Sequence, residues 1–351
     1  MVSPLTSRHG CRTVPVNMQP ASNQADGVLR SALPALQRQM LWVSAGNIGS
    51  KLLMFVANIW IANRILEVAF GNVSVAFSIV NYVSLALFTG IDTHTTRTAA
   101  AGGPEQMRDA AGDVLLLRTL LVPLALVLSL AAAMVLPGAA RWLTALFALS
   151  FLPQIIYCTN LFYGVEWVWP ITVYFIGGRI VYLALLLAFV RTPGDAAWVP
   201  IAFGVAILLE NAFLWLVWLR RFGVAVHTQV RACVLRWGAA LPTTAAVALL
   251  LLHENAAVMA LFILRGSAAT GVYSAGFRLV YVAVSLSMLL SFVFLARLTR
   301  LAGKDPVSIR PFFRRCIGLA VAGGVVAALL GTAVARPLVQ FLYKPVYAAS
   351  A

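Results

Sequence analysis

The sequence predicts an all-α polytopic membrane protein of about nine transmembrane helices, with one six-helix lobe and an incomplete second lobe. Of its 351 residues, 61% are hydrophobic and 11% are charged, and the mean hydropathy is +0.90. Soluble domains average about 45–50% apolar and about 25% charged residues. The apolar stretches are long enough for helices that cross a bilayer, which excludes the shorter, alternating strands of a membrane β-barrel.

The apolar stretches follow one another after a polar N-terminal tail, and each has the length of about 20 residues that a membrane-spanning helix needs. The predicted spans are Leu41–Ile65, Val73–Thr89, Val114–Leu136, Trp142–Phe162, Ile171–Val190, Val199–Leu219, Ala239–Leu264, Val272–Leu295 and Ile317–Val334. A very short link, Leu66–Asn72, joins the first two helices, and a polar connection, Gly90–Asp113, follows the second. The tail Arg336–Ala351 is expected to be a loop that leads toward a tenth helix.

Part of the first lobe recurs 200 positions later in the chain. The residues that recur are Gly71, Ser74, Phe77, Val80, Arg97 and Pro137, as Gly271, Ser274, Phe277, Val280, Arg297 and Pro337. One offset across successive segments indicates a duplicated unit, which is typical of membrane transporters. We therefore predict a cytoplasmic disordered tail (1–40), a first lobe (41–220), a basic cytoplasmic linker (221–238) and a second lobe (239–351) of three helices, truncated at its C-terminus.

The positive charge of the chain is distributed unevenly between the predicted loops. The chain has 26 Lys and Arg against 11 Asp and Glu, a net charge of +15. With the N-terminus in the cytoplasm, cytoplasmic segments hold sixteen basic residues, the opposite side holds six, and four lie inside spans. This distribution satisfies the positive-inside rule. The basic excess therefore predicts topology, with a cytoplasmic N-terminus, and not nucleic-acid binding.

Three segments resemble the polysaccharide (O-antigen and capsule) flippases. AFGNVSVAFSIVNYVSLALFTGIDTHTTRTAA (Ala69–Ala100) resembles their second-helix motif, with matches at Gly71, Gly90, Asp92 and Arg97. LFYGVEWVW (Leu161–Trp169) is similar to an aromatic loop of the family, matched at Gly164 and Glu166, with Tyr163 in place of a Gln. TGVYSAGFRLV (Thr270–Val280) resembles the eighth-helix motif at Gly271, Tyr273, Ser274 and Arg278, and LARLTRLAGKD (Leu295–Asp305) resembles the segment that follows it.

The resemblance covers roughly residues 39–348 and implies a member of the multidrug/oligosaccharidyl-lipid/polysaccharide exporter superfamily. It implies two six-helix lobes around a central cavity, alternating access, and transport of polyprenyl-pyrophosphate-linked oligosaccharide across the bacterial inner (plasma) membrane. The lipid-linked oligosaccharide, membrane lipids and polysaccharide assembly proteins are the implied partners. No cofactor or metal is expected. The departure from the family is the absence of the last three helices, which leaves transport competence open.

Ionisable side chains inside spans usually face the bundle interior or a water-filled cavity and are functional candidates. Lys51 lies near the middle of helix 1, and Asn47 and Asn58 lie largely on the same face. We interpret these three residues as a cavity-facing polar stripe that contacts the pyrophosphate or the sugars. The alternative is that a carboxylate or backbone carbonyls hold Lys51 for helix packing.

Arginine suits pyrophosphate because its planar fork makes bidentate hydrogen bonds and keeps its charge. Arg179 in helix 5 and Arg278 in helix 8 are therefore further candidates for substrate binding, and Arg278 matches the arginine of the family motif. Arg118 lies one turn into helix 3, where snorkelling to lipid headgroups is the alternative to a role in the cavity. A cationic interior favours an anionic substrate over cationic drugs.

Acidic and titratable residues are candidates for gating and ion coupling. Asp92 and Arg97 either pair locally or line the substrate entry, and Glu166 is either a gate contact to an arginine of the linker or a solvated acid. Three further residues inside helices 6 and 7 are candidates for ion coupling: Glu210, His253 and Glu254. Glu210 either binds a coupling proton or pairs with an arginine of helix 5, and His253-Glu254 is either a cation or proton site or a polar contact between helices.

Three classes of function remain: a lipid-linked oligosaccharide flippase, a membrane enzyme of the same pathway, and a transport-incompetent remnant. The enzyme class is disfavoured because the loops are short and carry no Asp-x-Asp, G-x-S-x-G, H-E-x-x-H or Walker motif. The absence of a Walker motif also indicates that an ion gradient, and not ATP, supplies any energy. A drug or lipid exporter of the same superfamily is the alternative among transporters.

Overall fold

The computed structural model describes residues 21–100, 103–225, 255–281, 306–345 and 347, together with isolated helical positions between 230 and 249. Two compact units divide the chain, Met1–Leu41 and Trp42–Ala351, and the site lies in the second. All regular elements within these described residues are helical. The helices are α1 (Ala21–Ala100), α2 (Pro104–Val135), α3 (Gly138–Ala148), α4 (Thr159–Gly164), α5 (Trp169–Phe189), α6 (Trp198–Arg221), α7 (Asn255–Tyr281) and α8 (Pro306–Leu342). Two 3₁₀ segments, Leu149–Ile156 and Pro193–Ala197, connect α3 to α4 and α5 to α6.

Seven helices of the described residues are long and apolar enough to cross a membrane, which confirms the all-α polytopic membrane fold. One of them, Ser44–Ala100, is 57 residues long and contains most of the first predicted span and all of the second. The break between those spans is a single residue, Leu66, with φ 65° and ψ 174°. The predicted link Leu66–Asn72 is therefore too long, because the helix resumes directly after Leu66.

The same kind of break occurs in α7, where Gly266 has φ 80°. This residue lies 200 positions after Leu66, so the backbone reproduces the offset that the sequence shows. The two breaks differ in strain, because glycine tolerates positive φ, whereas the Leu66 conformation belongs to a region populated essentially by glycine. The duplicated unit thus includes the turn between two helices as well as the matched side chains.

Three other predicted boundaries are also wrong. The connection Gly90–Asp113 is mostly helical, because α1 continues to Ala100 and α2 begins at Pro104. Helix 4 is not one α-helix over Trp142–Phe162: α3 passes into the 3₁₀ segment, which contains Pro153, before α4 begins. Proline cannot donate the hydrogen bond that an α-helix needs, which accounts for this change.

The third boundary concerns α8, which runs past Pro337 to Leu342, so the loop predicted over Arg336–Ala351 begins later. The residues after α8 pack back on α1. The Tyr347 hydroxyl donates a hydrogen bond to the Ala62 carbonyl (2.9 Å), and the Asn63 amide donates one to the Leu342 carbonyl (2.7 Å). These contacts fix the end of α8 against the break at Leu66.

The largest hydrophobic core joins both parts of α1 to α2, α3, α5 and α6. Its largest fully buried side chains include those of Phe70, Phe147 and Phe151. The aromatic rings of Phe77, Phe147 and Phe203 contact one another edge to face, with ring centroids 5.6–5.9 Å apart. Packing of this density holds the helices that carry the candidate site in fixed positions.

Candidate functional site

Arg118 is buried and neutralised. Its guanidinium donates a hydrogen bond to the Asp92 carboxylate at 2.5 Å and two bonds of 3.3 Å to the Gln154 carbonyl and side-chain amide oxygens. The guanidinium also lies 4.4 Å from the centre of the Tyr157 ring. Because Arg118 is only 1% exposed, it does not snorkel to lipid headgroups. The same ion pair decides between the two interpretations of Asp92. The Asp92 carboxylate pairs with Arg118 and not with the exposed Arg97.

The irregular chain between α3 and α4 is held by buried polar side chains of neighbouring helices. Inside a membrane, backbone carbonyls outside a regular helix need other donors. Arg118 supplies a donor to the Gln154 carbonyl, and the buried Asn211 amide donates to the Pro153 carbonyl at 2.9 Å. The polar residues of α2 and α6 therefore stabilise the broken fourth helix.

The second ion pair links α5 to α6. Arg179 Nη1 lies 3.7 Å from Glu210 Oε1, and the Glu210 side chain is 1% exposed. The preceding Gly178 makes this approach possible, because a Cβ at that position would overlap the Glu210 carboxylate. Of the two interpretations of Glu210, the structure therefore contains the pair with an arginine of helix 5. The roles of Arg179 in substrate binding and of Glu210 in ion coupling stay predictions.

The polar stripe of helix 1 faces α7. Lys51 Nζ lies 5.6 Å from the centre of the Tyr281 ring, a cation–π arrangement. Two turns further along α1, the buried Asn58 lines a small cavity that Arg278 of α7 also lines. Asn47 is half-buried one turn before Lys51 on the same face. The structure thus brings Lys51, Asn58 and Arg278 together along one interface.

The cavity has a volume of about 20 Å³, enough for about one water molecule. Its polar lining consists of Asn58, Ser74, Tyr182 and Arg278. Asn58 donates to the Met54 carbonyl of its own helix at 2.7 Å, whereas the buried Ser74 hydroxyl has no hydrogen-bond partner within the described part of the chain. The cavity is therefore a small polar cavity inside an interface that is otherwise apolar and aromatic.

Arg278 differs from Arg118 and Arg179 in its surroundings. It is half-buried and lines the small cavity together with the Tyr182 phenol. Among the residues whose side chains the structure describes, no carboxylate forms an ion pair with it. A guanidinium beside aromatic rings, without an acidic partner, retains the capacity to bind an anion.

An aromatic ladder on α7 was not predicted from the sequence. Tyr273 and Phe277 stack with ring centroids 5.7 Å apart and an interplanar angle of 15°, and Phe277 and Tyr281 are 6.2 Å apart. The ladder ends where Lys51 contacts Tyr281. The sequence signal was available: three aromatic residues spaced four apart lie on one face of a helix.

A close backbone contact joins the two repeats near their breaks. A Cβ on Gly71 would overlap the Ser267 carbonyl oxygen, and a Cβ on Gly271 would overlap the Glu67 carbonyl oxygen. Beside them, the Ser267 hydroxyl donates to the Asn72 side-chain oxygen at 2.6 Å. The two contacts are related by the 200-residue offset, so α1 and α7 meet here through equivalent surfaces.

The remaining predicted site residues are not brought to this interface. Arg97 is exposed at the end of α1, and Glu166 is exposed, with φ 55°, in the turn after α4. His253 and Glu254 lie outside the described residues. In the part of the chain that the structure describes, no group of three His, Cys, Asp or Glu side chains is placed to hold a metal ion.

The fold resembles that of solved membrane transporters at low sequence identity. An inward-facing multidrug resistance MATE family transporter of the MOP superfamily aligns with a TM-score of 0.67 and 15% identity, covering 86% of this chain and 75% of that chain. The eukaryotic MATE transporter AtDTX14 gives 0.56 and 16%, covering 90% and 76%. A variant of the Vibrio cholerae MATE transporter VcmN gives 0.53 and 15%, covering 91% and 78%. No curated protein matches the chain.

Residues 36–295 match the family described as polysaccharide biosynthesis protein. This match covers most of the chain and confirms the family that the three motifs predicted. The structural neighbours are described as transporters, which agrees with the prediction that the protein is not an enzyme. The chain belongs to the polysaccharide biosynthesis protein family, and its fold is similar to that of a MATE transporter of the MOP superfamily.

Proposed function

We propose that this membrane transporter flips polyprenyl-pyrophosphate-linked oligosaccharide across the bacterial inner membrane, with its N-terminus in the cytoplasm. The observation that carries the proposal is that Lys51 of the first lobe and Arg278 of the second lie along one aromatic interface. Two cations at one interface provide electrostatic complementarity to a pyrophosphate.

The aromatic ladder supports a sugar-bearing substrate. Ligand sites are typically lined by apolar and aromatic groups, with a few polar groups that fix orientation. Tyr273, Phe277 and Tyr281 present successive rings, on whose faces the C–H groups of sugar rings can pack. Lys51 and Asn58 then supply polar contacts at the same interface. Asn47 and Arg179 are further proposed contacts of the same substrate.

The glycine contact supports alternating access. Gly71 and Gly271 allow α1 and α7 to approach to backbone contact, which closes the space between the two helices at this point. Transporters built from repeats expose a fixed site by rocking one repeat against the other. We propose that this contact opens during the cycle, and that Asp92, Arg97 and Glu166 contribute to the opposite gate.

Energy for transport is proposed to come from an ion gradient, with Glu210, His253 and Glu254 as coupling candidates. Glu210 is the candidate with the clearest alternative states, because its carboxylate either holds Arg179, as observed, or releases it on protonation. Release would free the charge of Arg179 for an anionic substrate. Polysaccharide assembly proteins are proposed partners that consume the flipped product.

The test is transport in proteoliposomes that contain the purified chain and a fluorescent polyprenyl-pyrophosphate oligosaccharide. An enzyme that modifies the sugar only on the outer face measures its arrival. We expect Lys51→Gln and Arg278→Gln each to reduce the rate by about tenfold or more, the effect of losing one strong ionic contact. Arg141→Gln is the matched control, because Arg141 lies at the start of α3 and, within the described residues, donates hydrogen bonds to the nearby carbonyls of Leu136 and Met134. Undiminished transport by both site variants would refute the proposed role of this interface.

The alternative functions are export of a drug or another lipid by the same fold, and a transport-incompetent remnant. The drug alternative follows from one structural neighbour, which is described as a multidrug resistance MATE family transporter. A cationic interface disfavours cationic drugs by charge repulsion. Export of a fluorescent cationic dye that survives Lys51→Gln, without oligosaccharide transport, would favour the drug alternative, and no transport of either compound would favour the remnant.

A further inference from the structure

A groove of about 380 Å³ lies on the outer surface of α1 and α5, separate from the aromatic interface. Its apolar wall consists of Val56, Ile59, Leu183 and Leu187. Val56 and Leu187 are 49% and 44% exposed, so the groove faces the surroundings of the protein and not its core. Exposed apolar side chains on a membrane-spanning helix are chemically suited to contact with lipid acyl chains.

One end of the groove is polar and positively charged. It is lined by Trp60, Asn63, Arg64 and Lys344. The Arg64 guanidinium lies 4.3 Å from the centre of the Trp60 ring, and both cations are exposed. None of the described residues that line the groove is acidic. The cations are therefore available to a negatively charged group at the mouth of an apolar groove.

Hydrogen bonds fix this charged end. The Trp60 indole donates to the Val190 carbonyl at 3.0 Å, which ties α1 to the end of α5. Asn63 accepts a hydrogen bond from the Lys344 backbone N–H at 3.0 Å and donates to the Leu342 carbonyl at 2.7 Å. The chain after α8 thus holds Lys344 beside Arg64, so the two charges are brought together by the fold.

We propose that the groove binds an anionic phospholipid, with one acyl chain along the apolar wall and the phosphate between Arg64 and Lys344. The volume lies within the range of about 300–1,000 Å³ that is typical of ligand pockets. Tryptophan and basic residues are typical of the membrane–water interface, where lipid phosphates lie. A free phosphate would leave the apolar wall uncovered, so the combination of wall and charge selects a lipid.

The test is native mass spectrometry of the full chain released from mixed bilayers of phosphatidylglycerol and phosphatidylcholine. We expect the unmodified protein to retain phosphatidylglycerol preferentially. The double variant Arg64→Gln/Lys344→Gln should lose this preference by about tenfold or more, because each cation near a membrane surface contributes about fivefold. The control Arg141→Gln changes a charge that lies on the same predicted side but outside the groove, and should leave the preference unchanged.

A second variant tests the acyl-chain part. Val56→Trp fills the groove, whereas Val205→Trp places the same bulk at an exposed position of α6 outside it. We expect only Val56→Trp to reduce retention of phosphatidylglycerol. Equal retention by the unmodified protein and the double variant would overturn the proposal. Displacement of the lipid by inorganic phosphate alone would also overturn it, because it would reduce the site to a phosphate site. Since the measurement is binding, its outcome is independent of oligosaccharide transport.

Discussion

The two copies of the repeat, Leu66–Arg97 in α1 and Gly266–Tyr281 in α7, agree in backbone and differ in charge. Both begin with a positive-φ break, both place a glycine against a carbonyl of the other copy, and both bury a serine hydroxyl, Ser74 or Ser274, without a hydrogen-bond partner in the described residues. The first copy carries Asp92, which neutralises Arg118. The second copy carries Arg278, which has aromatic neighbours and no described acidic partner.

This difference teaches which parts of a duplicated transporter are constrained by the fold and which are available for function. The breaks and the glycine contact are needed twice, because each helix must turn and approach its counterpart. The charged residues of the two copies have different roles. An arginine that is paired with a carboxylate stabilises the structure, whereas an arginine without such a pair attracts an anion. We therefore expect substitutions in the two copies to separate effects on stability from effects on transport.

The largest expected effect is on the buried pair of the first copy. Arg118→Gln leaves Asp92 without its partner and weakens the bonds to Gln154, so we expect it to destabilise the protein by about 3–5 kcal/mol. Arg278→Gln removes no described ion pair and should change stability far less, while transport falls. Thermal unfolding in detergent compares the two variants. Equal destabilisation by both would show that the copies do not differ in the way that the structure indicates.

A smaller effect is expected from the glycine contact, where the copies should behave alike. Gly71→Ala and Gly271→Ala each insert a methyl group against a backbone carbonyl, for which overpacking costs of about 1–3 kcal/mol are usual. A cysteine pair at Asn72 and Ser267, whose side chains are hydrogen-bonded, reports closure by its yield of cross-linked product. We expect Gly271→Ala to lower that yield.

Gly204→Ala is the control for the glycine contact, because a Cβ at that position has open space. It should leave the cross-linking yield unchanged. If Gly71→Ala and Gly271→Ala differed strongly in their effects on stability, the equivalence of the two contacts would be broken.

The smallest effect is expected at the two breaks, and it has opposite signs. Leu66→Gly relieves a backbone conformation that is essentially restricted to glycine, and should stabilise the protein by about 1 kcal/mol after the loss of side-chain contacts. Gly266→Ala introduces a side chain at φ 80° and should destabilise by about 1–2 kcal/mol. Melting temperatures of the two variants check the signs, and a shift in the same direction for both would contradict the strain at Leu66.

Hydrophobic length and the repeat were sufficient to predict the helical membrane fold, because the bilayer imposes one dominant rule on apolar segments. The segment after α3 could not be predicted, since a helix containing Pro153 continues or breaks according to the donors that other helices supply. Those donors, Arg118 and Asn211, lie 35 and 58 residues away from Pro153 in sequence. The end of α8 was missed for a similar reason, because the helix passes Pro337 whereas the matching Pro137 ends a helix.

Sequence reasoning placed the polar stripe of helix 1 on one face, and the structure brings Lys51 and Asn58 to α7. It did not distinguish Arg179 from Arg278, because the difference is the position of Glu210 on another helix. Hydropathy alone identifies a charged side chain inside a membrane span, but it does not identify the residue that pairs with that side chain. The binding and coupling roles of these residues stay predictions that the transport measurements address.

The glycine contact between α1 and α7 uses only backbone atoms. A closure of this kind has no titratable group to protonate and no ion pair to screen. Its strength should therefore be nearly the same in acid and at neutral pH, and in low and high salt. Separating α1 from α7 at this backbone contact would break no ion pair of the contact. The energy barrier to movement at this point should therefore be low. Sensitivity of the transport cycle to pH and salt would then originate at charged side chains of the protein and not at this backbone contact.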